Sequence, residues 1–341
     1  MRGREAPRVS ETVTAALDRA AKVLKDSPRV ALACHVNPDP DALGSMLGLA
    51  GFLSAQGKEV VCSWGNQPLA PPRWLSELDG AGYLVEPKDF PETPDVLVAL
   101  DTAAPDRLGL LLVNAERAGQ VIVIDHHRTN PGFGSILVLD PAASSTAELV
   151  FRLIERMGGE LPDGAAACLY AGVVTDTGRF QYEATTPETL RVAAELRRRK
   201  FDHARLGQAL FENGSIASLR VLGVALDRVT HVPEADLVWT YVTQTDLARV
   251  SMDVGELDDV IDVVRMARDA DVACVIKQQA DGRFRVSLRS RGNTDVAAIA
   301  QGFGGGGHRL AAGYTSTTGL EDAALALIDA LCRGRPRRAD G

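Results

Sequence analysis

Aromatic residues are scarce, at 5% of 341 positions, and the five cysteines (Cys34, Cys62, Cys168, Cys274, Cys332) show no Cys-x-x-Cys spacing. An odd, scattered set excludes a disulfide framework or zinc finger as the organising device, so buried, reduced thiols are expected. No apolar run approaches the roughly 18 residues of a membrane span, and Met1 to Ser10 lacks the apolar stretch of a secretory signal. A cytoplasmic protein with no membrane partner is the expectation. Positive charge is not in excess either, since the net charge is −8. A sequence-independent nucleic-acid coat needs a basic surface to release counterions, so no long nucleic acid is expected as partner.

What is present fits a globular α/β protein: 45% apolar and 24% charged residues over a length that accommodates two domains. The first half alternates short apolar runs with helical periodicity, as repeated βα units do. Strands are expected at Arg29 to Cys34, Glu59 to Ser63, Asp95 to Leu100 and Val121 to Ile124. Their continuous apolar character predicts a mostly parallel sheet flanked by helices. Helices are expected over Asp41 to Gln56, Thr146 to Met157 and Asp163 to Val174. The pattern then predicts a first domain over 1–185, a helical linker over 186–233, a smaller α/β domain over 234–333, and a disordered tail over 334–341. In the smaller domain, strands are expected at Leu237 to Thr243, Val272 to Gln278 and Phe284 to Arg289. The basic cluster Arg197 to Lys200 reads as a solvated helix end.

The informative acidic and histidine residues fall just after apolar runs. His35, Asp39 and Asp41 follow the first run, Asp101 follows VLVAL, Asp125, His126 and His127 follow VIVI, and Asp176 ends a helix. Ligands bind at the carboxyl ends of strands in open α/β sheets. Any one such residue alone is more commonly a turn or helix cap. Four sites at successive element ends are a different matter, because carboxylates gathered at one edge stay ionised only beside a compensating cation. Mixed imidazole and carboxylate donors suit Mn²⁺ better than Mg²⁺ or structural Zn²⁺.

HVNPDPDALGS (35–45), Asp101, VIDHHRTN (123–130) and GVVTDTGRF (172–180) resemble, in order, the N-terminal motifs of the DHH/DHHA1 phosphoesterases. SLRSRGNTDVAAIAQGFGGGGHRLAAG (287–313) resembles that family's DHHA1 signature. Within the family the chain is most similar to the stand-alone branch of oligoribonucleases, pAp phosphatases and cyclic-di-AMP phosphodiesterases. The resemblance implies two Mn²⁺ per site, one on His35, Asp39 and Asp101 and one on Asp41, Asp101, His126 and Asp176. It implies a catalytic part for Asp101, His127 facing the substrate phosphate, and Asp125 orienting the histidine pair. The active site is expected in the cleft between the domains.

In the second domain the glycine run Gly304, Gly305, Gly306 and Gly307 predicts backbone N–H groups able to approach an anion, with His308 directly after it. Arg289 is placed to hold a phosphate, Arg291 is a weaker candidate, and Arg128 would reach the phosphate from the first domain. The implied substrates are cyclic di-AMP, pApA, pAp or RNA of two to four nucleotides, cleaved to 5′-mononucleotides by a monomer or homodimer. The alternatives are a pAp 3′-phosphatase, a manganese inorganic pyrophosphatase, and a non-catalytic adenine-dinucleotide sensor. The pyrophosphatase would carry Ser-Arg-Lys where this chain has SLRSRG.

Overall fold

The computed structural model describes residues 12–78, 80–212, 214–252 and 260–333; the first eleven residues and the expected tail lie outside them. Two compact units divide between residues 213 and 214.

The first unit runs α1 (Val13–Asp26), β1 (Arg29–Cys34), α2 (Pro40–Ala55), β2 (Glu59–Trp64), β3 (Val96–Leu100) and α3 (Leu112–Arg117). It continues through β4 (Gln120–Asp125), β5 (Ile136–Leu139), α4 (Thr146–Met157), α5 (Asp163–Asp176), α6 (Pro187–Arg197) and α7 (His203–Phe211). Its five strands are all parallel, in the order β2-β1-β3-β4-β5. The alternation of a strand sorts side chains to two apolar layers. Val30, Leu32, Cys34, Val98 and Ile124 pack under the long helices, while Ala31, Ala33, Leu97, Ala99 and Val123 pack on the opposite face. Burial on both faces is why these strands read as unbroken apolar runs. The strand order reverses direction between β1 and β3, and such a switch point leaves a crevice at the carboxyl ends.

Helices α2 and α5 lie against one another with little between them. A Cβ built on Gly172 of α5 would sit 2.6 Å from Oδ1 of Asp41 and 2.7 Å from Cβ of Ala147, so only glycine admits this approach. The expected linker is divided between the units: α6 buries Thr189, Val192, Ala193 and Leu196 in the first, whereas its last helix opens the second.

The second unit runs α8 (Ile216–Asp227), β6 (Thr230–Val232), β7 (Leu237–Val242), α9 (Gln244–Ala248), α10 (Val260–Val264) and β8 (Val272–Gln278). After these come β9 (Phe284–Ser290), α11 (Val296–Gly302), β10 (Gly306–His308), β11 (Ala311–Ser316) and α12 (Leu320–Arg333). The sheet order is β10-β11-β9-β8-β7-β6, with β7 and β8 parallel and the other neighbours antiparallel. Cys34, Cys62, Cys168 and Cys274 are buried and Cys332 is exposed, and none of the five is in a disulfide. Among the described residues no single helix is long and apolar enough to cross a membrane.

Candidate metal centre

Three parallel strands deliver the site. His35 follows β1, Asp101 follows β3, Asp125 ends β4, and His126 and His127 come directly after it. Asp101 adopts a left-handed φ of 52°, a conformation aspartate tolerates better than most residues. Its N–H still donates to Ile124 O at 3.0 Å, so the backbone stays in the sheet while the side chain turns off its edge. Asp39 is the N-cap of α2, and Asp41 lies in that helix's first turn. For Asp39 the capping and the site readings coexist: Oδ1 accepts the Ala42 N–H at 3.0 Å, and Oδ2 lies 3.8 Å from Nε2 of His35. Asp176 is the last residue of α5.

These residues form two donor groups. Ligand atoms of His35, Asp39 and Asp101 lie within 4.8 Å of one another, as do those of Asp41, His126 and Asp176. Asp101 stands between the groups, with Oδ2 at 3.5 Å from Nε2 of His35 and Oδ1 at 3.7 Å from Nε2 of His126. Nε2 of His126 is 3.2 Å from Oδ2 of Asp176. A third combination, Asp101 with His126 and His127, meets the same distance limit.

The histidines are oriented from behind. Nδ1 of His35 lies 2.8 Å from Val36 O, Nδ1 of His126 lies 3.3 Å from Ala143 O, and Nδ1 of His127 lies 2.7 Å from Oδ1 of Asp125. A carbonyl accepts only, so Nδ1 of His126 is the donor to Ala143 O and Nδ1 of His35 is the donor to the nearer Val36 O, with a guanidinium nitrogen of Arg107 lying beside it at 3.2 Å. Nε2 of each ring is thereby aimed at the carboxylates, where a cation would take the place of its proton, the arrangement metal-ligating histidines use. Asp125 is fully buried and accepts from the His126 and His127 N–H groups, from His127 Nδ1 and, at 2.6 Å, from Nδ2 of Asn130.

The electrostatics report a strong negative field. Burial and the charge of Asp101 push Asp41 up to about 7. Burial and the facing Asp41, Asp39 and Asp101 push Asp176 well up. For His35, burial works downward, yet Asp101 and Asp39 outweigh it and raise the imidazole to about 10. Burial also opposes the charge of Asp101, but His35, His127 and His126 together hold it well below the usual carboxylate range. Such affinity for positive charge, with borderline nitrogen and oxygen donors converging, fits a divalent cation pair.

Sequence reasoning missed several supports. Asn130 sits inside the quoted VIDHHRTN, yet nothing in the string marks its bond to Asp125. Thr146 and Ala147, at the start of α4, donate their N–H groups to Asp41 at 2.7 and 2.9 Å. The signal available was the Ser-Ser-Thr-Ala-Glu capping pattern (144–148), which aims a helix N-terminus at the same edge.

In the second unit Arg289, Ala311 and His308 form one register row across β9, β11 and β10, so Arg289 and His308 flank Ala311 on one face. Arg289 is partly buried and donates to Leu288 O at 3.1 Å, while Arg291 is exposed and reaches Arg265 O at 3.4 Å. Arg128 of the first unit is exposed. The glycine run has a packing purpose that the sequence reading did not anticipate. A Cβ on Gly305 would lie 2.2 Å from Gly313 O, and one on Gly307 would lie 2.5 Å from Ala311 O. The N–H groups of Gly304 and Gly305 already donate to Gln301 O and Ala300 O, so these two are not the anion-binding donors expected of the run. The preceding turn is held by Asp271, which accepts from Ser290 Oγ and the Asn293 N–H.

Fold and site together define an α/β protein with a histidine–carboxylate centre at the switch point of a parallel sheet, suited to divalent cations. A model described as the DHH family, N-terminal domain, matches residues 29–173, and one described as the DHHA1 domain matches residues 238–334. The chain is 38% identical to the bifunctional oligoribonuclease and PAP phosphatase NrnA of Thermus thermophilus, over 86% of each chain. It is 30% identical to the cyclic-di-AMP phosphodiesterase GdpP of Geobacillus thermodenitrificans, over 84% of this chain and 44% of that one. An exopolyphosphatase-related protein from Bacteroides fragilis superimposes with a TM-score of 0.86 at 27% identity, covering 95% of this chain and 98% of the other. This chain belongs to the DHH/DHHA1 phosphoesterase family.

Proposed function

We propose that this protein is a manganese-dependent phosphodiesterase that hydrolyses very short oligoribonucleotides and adenine dinucleotides, including cyclic di-AMP through pApA, to 5′-mononucleotides such as AMP. The observation that carries the reading is the position of Asp101 between two groups of histidine and carboxylate donors at one sheet edge. In this reading His35, Asp39 and Asp101 hold one cation, and Asp41, Asp101, His126 and Asp176 hold the second. Bound there, the cations supply Lewis acidity to a phosphoryl group and a lowered pKa to an attacking water. The chain's own residues do the remainder. Asp101 sets the spacing of the two groups, and Asp125 fixes the His127 ring, which meets the phosphate as positioning group or proton donor. Arg128 is the first unit's phosphate contact in this reading, and the second unit offers Arg289, Arg291, His308 and the Gly306–Gly307 end of the glycine run as nucleotide-binding groups.

The Thermus relative supports short RNA as substrate and favours a second activity, removal of the 3′-phosphate of pAp. The cyclic-di-AMP relative aligns over less than half its length and supports that substrate less strongly. The test is kcat/KM with Mn²⁺ for pApA, cyclic di-AMP, pAp and RNA of two to four nucleotides. The expected ranking puts pApA and short RNA first, with 5′-mononucleotide products and an Asp101→Asn variant inactive on all four. A fully active Asp101→Asn protein, or no product from any substrate, overturns the reading.

A further inference from the structure

The segment from Ala143 to Glu148 touches three residues of the centre at once. Ala143 O receives Nδ1 of His126 at 3.3 Å, the N–H groups of Thr146 and Ala147 hold the two oxygens of Asp41, and the Thr146 hydroxyl donates to Oδ1 of Asp101 at 2.9 Å. Thr146 therefore binds Asp41 through its backbone and Asp101 through its side chain. These carboxylates, one directly after β3 and one in the first turn of α2, are far apart in the chain. The segment is itself pinned: Ser145 caps α4 through the Glu148 N–H, and Oε2 of Glu148 accepts from Ser144 N, Ser144 Oγ and the Thr189 hydroxyl of α6. Ser144, Ser145, Thr146, Glu148 and Thr189 are all buried.

Each oxygen of a carboxylate between two donor groups must point to its own side. Asp101 directs Oδ2 toward His35 and Oδ1 toward His126, and the left-handed φ of its backbone leaves the carboxylate to be oriented by what it touches. The Thr146 hydroxyl is a donor on the Oδ1 side. It is fully buried and placed to fix the rotation about the last side-chain bond.

We infer that Thr146 is a positioning residue of the centre: its hydroxyl sets the rotation of Asp101, so that the two donor groups share that carboxylate with one oxygen each. The inference rests on the reading of the centre as a cation pair. It is independent of which phosphoester is the substrate, because Thr146 acts through Asp101. Hydrogen-bond partners behind a ligand commonly contribute about ten- to hundred-fold to metal affinity or activity.

The experiment uses the full chain and follows Mn²⁺ binding by titration calorimetry, alongside kcat and KM on one turned-over substrate. Thr146→Val keeps shape and removes the donor, Thr146→Ser keeps the donor and removes the methyl, and Asp101→Asn is the control. Thr146→Val is expected to weaken Mn²⁺ binding at least tenfold and, at saturating Mn²⁺, to lower kcat with KM unchanged. Thr146→Ser should restore both. Wild-type Mn²⁺ affinity in folded Thr146→Val overturns the inference, as does failure of Thr146→Ser to bind better than Thr146→Val, which would leave Thr146 a packing residue. If Thr146→Val does not fold, Thr146→Ala is read by the same criteria. Mn²⁺ affinity unchanged in Asp101→Asn would instead sink the reading of the centre on which the inference rests.

Discussion

Oδ1 of Asp125 accepts from Nδ1 of His127 at 2.7 Å, while Oδ2 is taken by Asn130. The carboxylate is thus committed to holding a ring in place. For His127, burial works downward, but the hydrogen bond with Asp125 and the charge of Asp101 outweigh it, so the imidazole is raised above its ordinary value. The upward shift widens the pH range over which the ring is protonated and can offer positive charge or a proton to a phosphate.

Asp125→Asn keeps the shape but removes the charge that orients and supports that ring. Its kcat is expected to fall about 100-fold, with Mn²⁺ stoichiometry unchanged, since Asp125 stands behind the donors. Steady-state kinetics with calorimetry on the same preparation checks this. A lost cation would make Asp125 a ligand.

Chelation should abolish turnover, and Mn²⁺ should restore it with two ions bound per chain. Asp101→Asn should bind both ions more weakly, whereas Asp176→Asn should affect one. The binding isotherms separate the two cases, and a single class of ion in the wild type would contradict the shared position of Asp101.

Gly172 leaves room for Asp41. Adding a methyl there would place it against Asp41 Oδ1 and Ala147 Cβ. Gly172→Ala is expected to cost about 2 kcal/mol of stability through overpacking and to lower Mn²⁺ affinity, as read by urea denaturation and calorimetry. A surface alanine substitution would move neither.

Asp246 ties β7 and α9 to the end of α8: Arg228 reaches its two oxygens at 2.5 and 2.9 Å, and Thr243 donates both N–H and hydroxyl to Oδ2. Arg228 holds the carboxyl well below its usual range, with Thr243 adding to this against burial. Stability from a depressed carboxyl is complete above its unfolded value of about 4 and is lost as pH falls through the lower folded value. Asp246→Asn should therefore cost about 2 kcal/mol at neutral pH, because Arg228 is left unpaired. It should also flatten the acid limb below about pH 4, as thermal unfolding across pH will show.

The first-unit strands were legible because both faces are buried, which makes each an unbroken apolar run. Its donor residues were legible because strand ends are also run ends. β5 escaped, being four residues at a sheet edge with alternating burial. So did β10 and β11, whose glycines and alanines carry no strand signature. The contacts of Thr146 with Asp41 escaped for a different reason: they join positions 105 residues apart, and the alphabet of a capping motif does not say which helix end meets which carboxylate. The glycine run was legible as special, but its dependence on the β11 backbone was not, since that is a property of the partner strand.

The left-handed backbone at Asp101 bears on how this position can change over generations. Asparagine, aspartate and glycine enter that conformation readily, whereas glutamate and branched residues enter it reluctantly. Of the readily admitted three, only aspartate is an anion. Drift here thus leads to inactive neighbours and not to graded ones, and the loss of this residue in a descendant chain would mark a protein that has left hydrolysis behind.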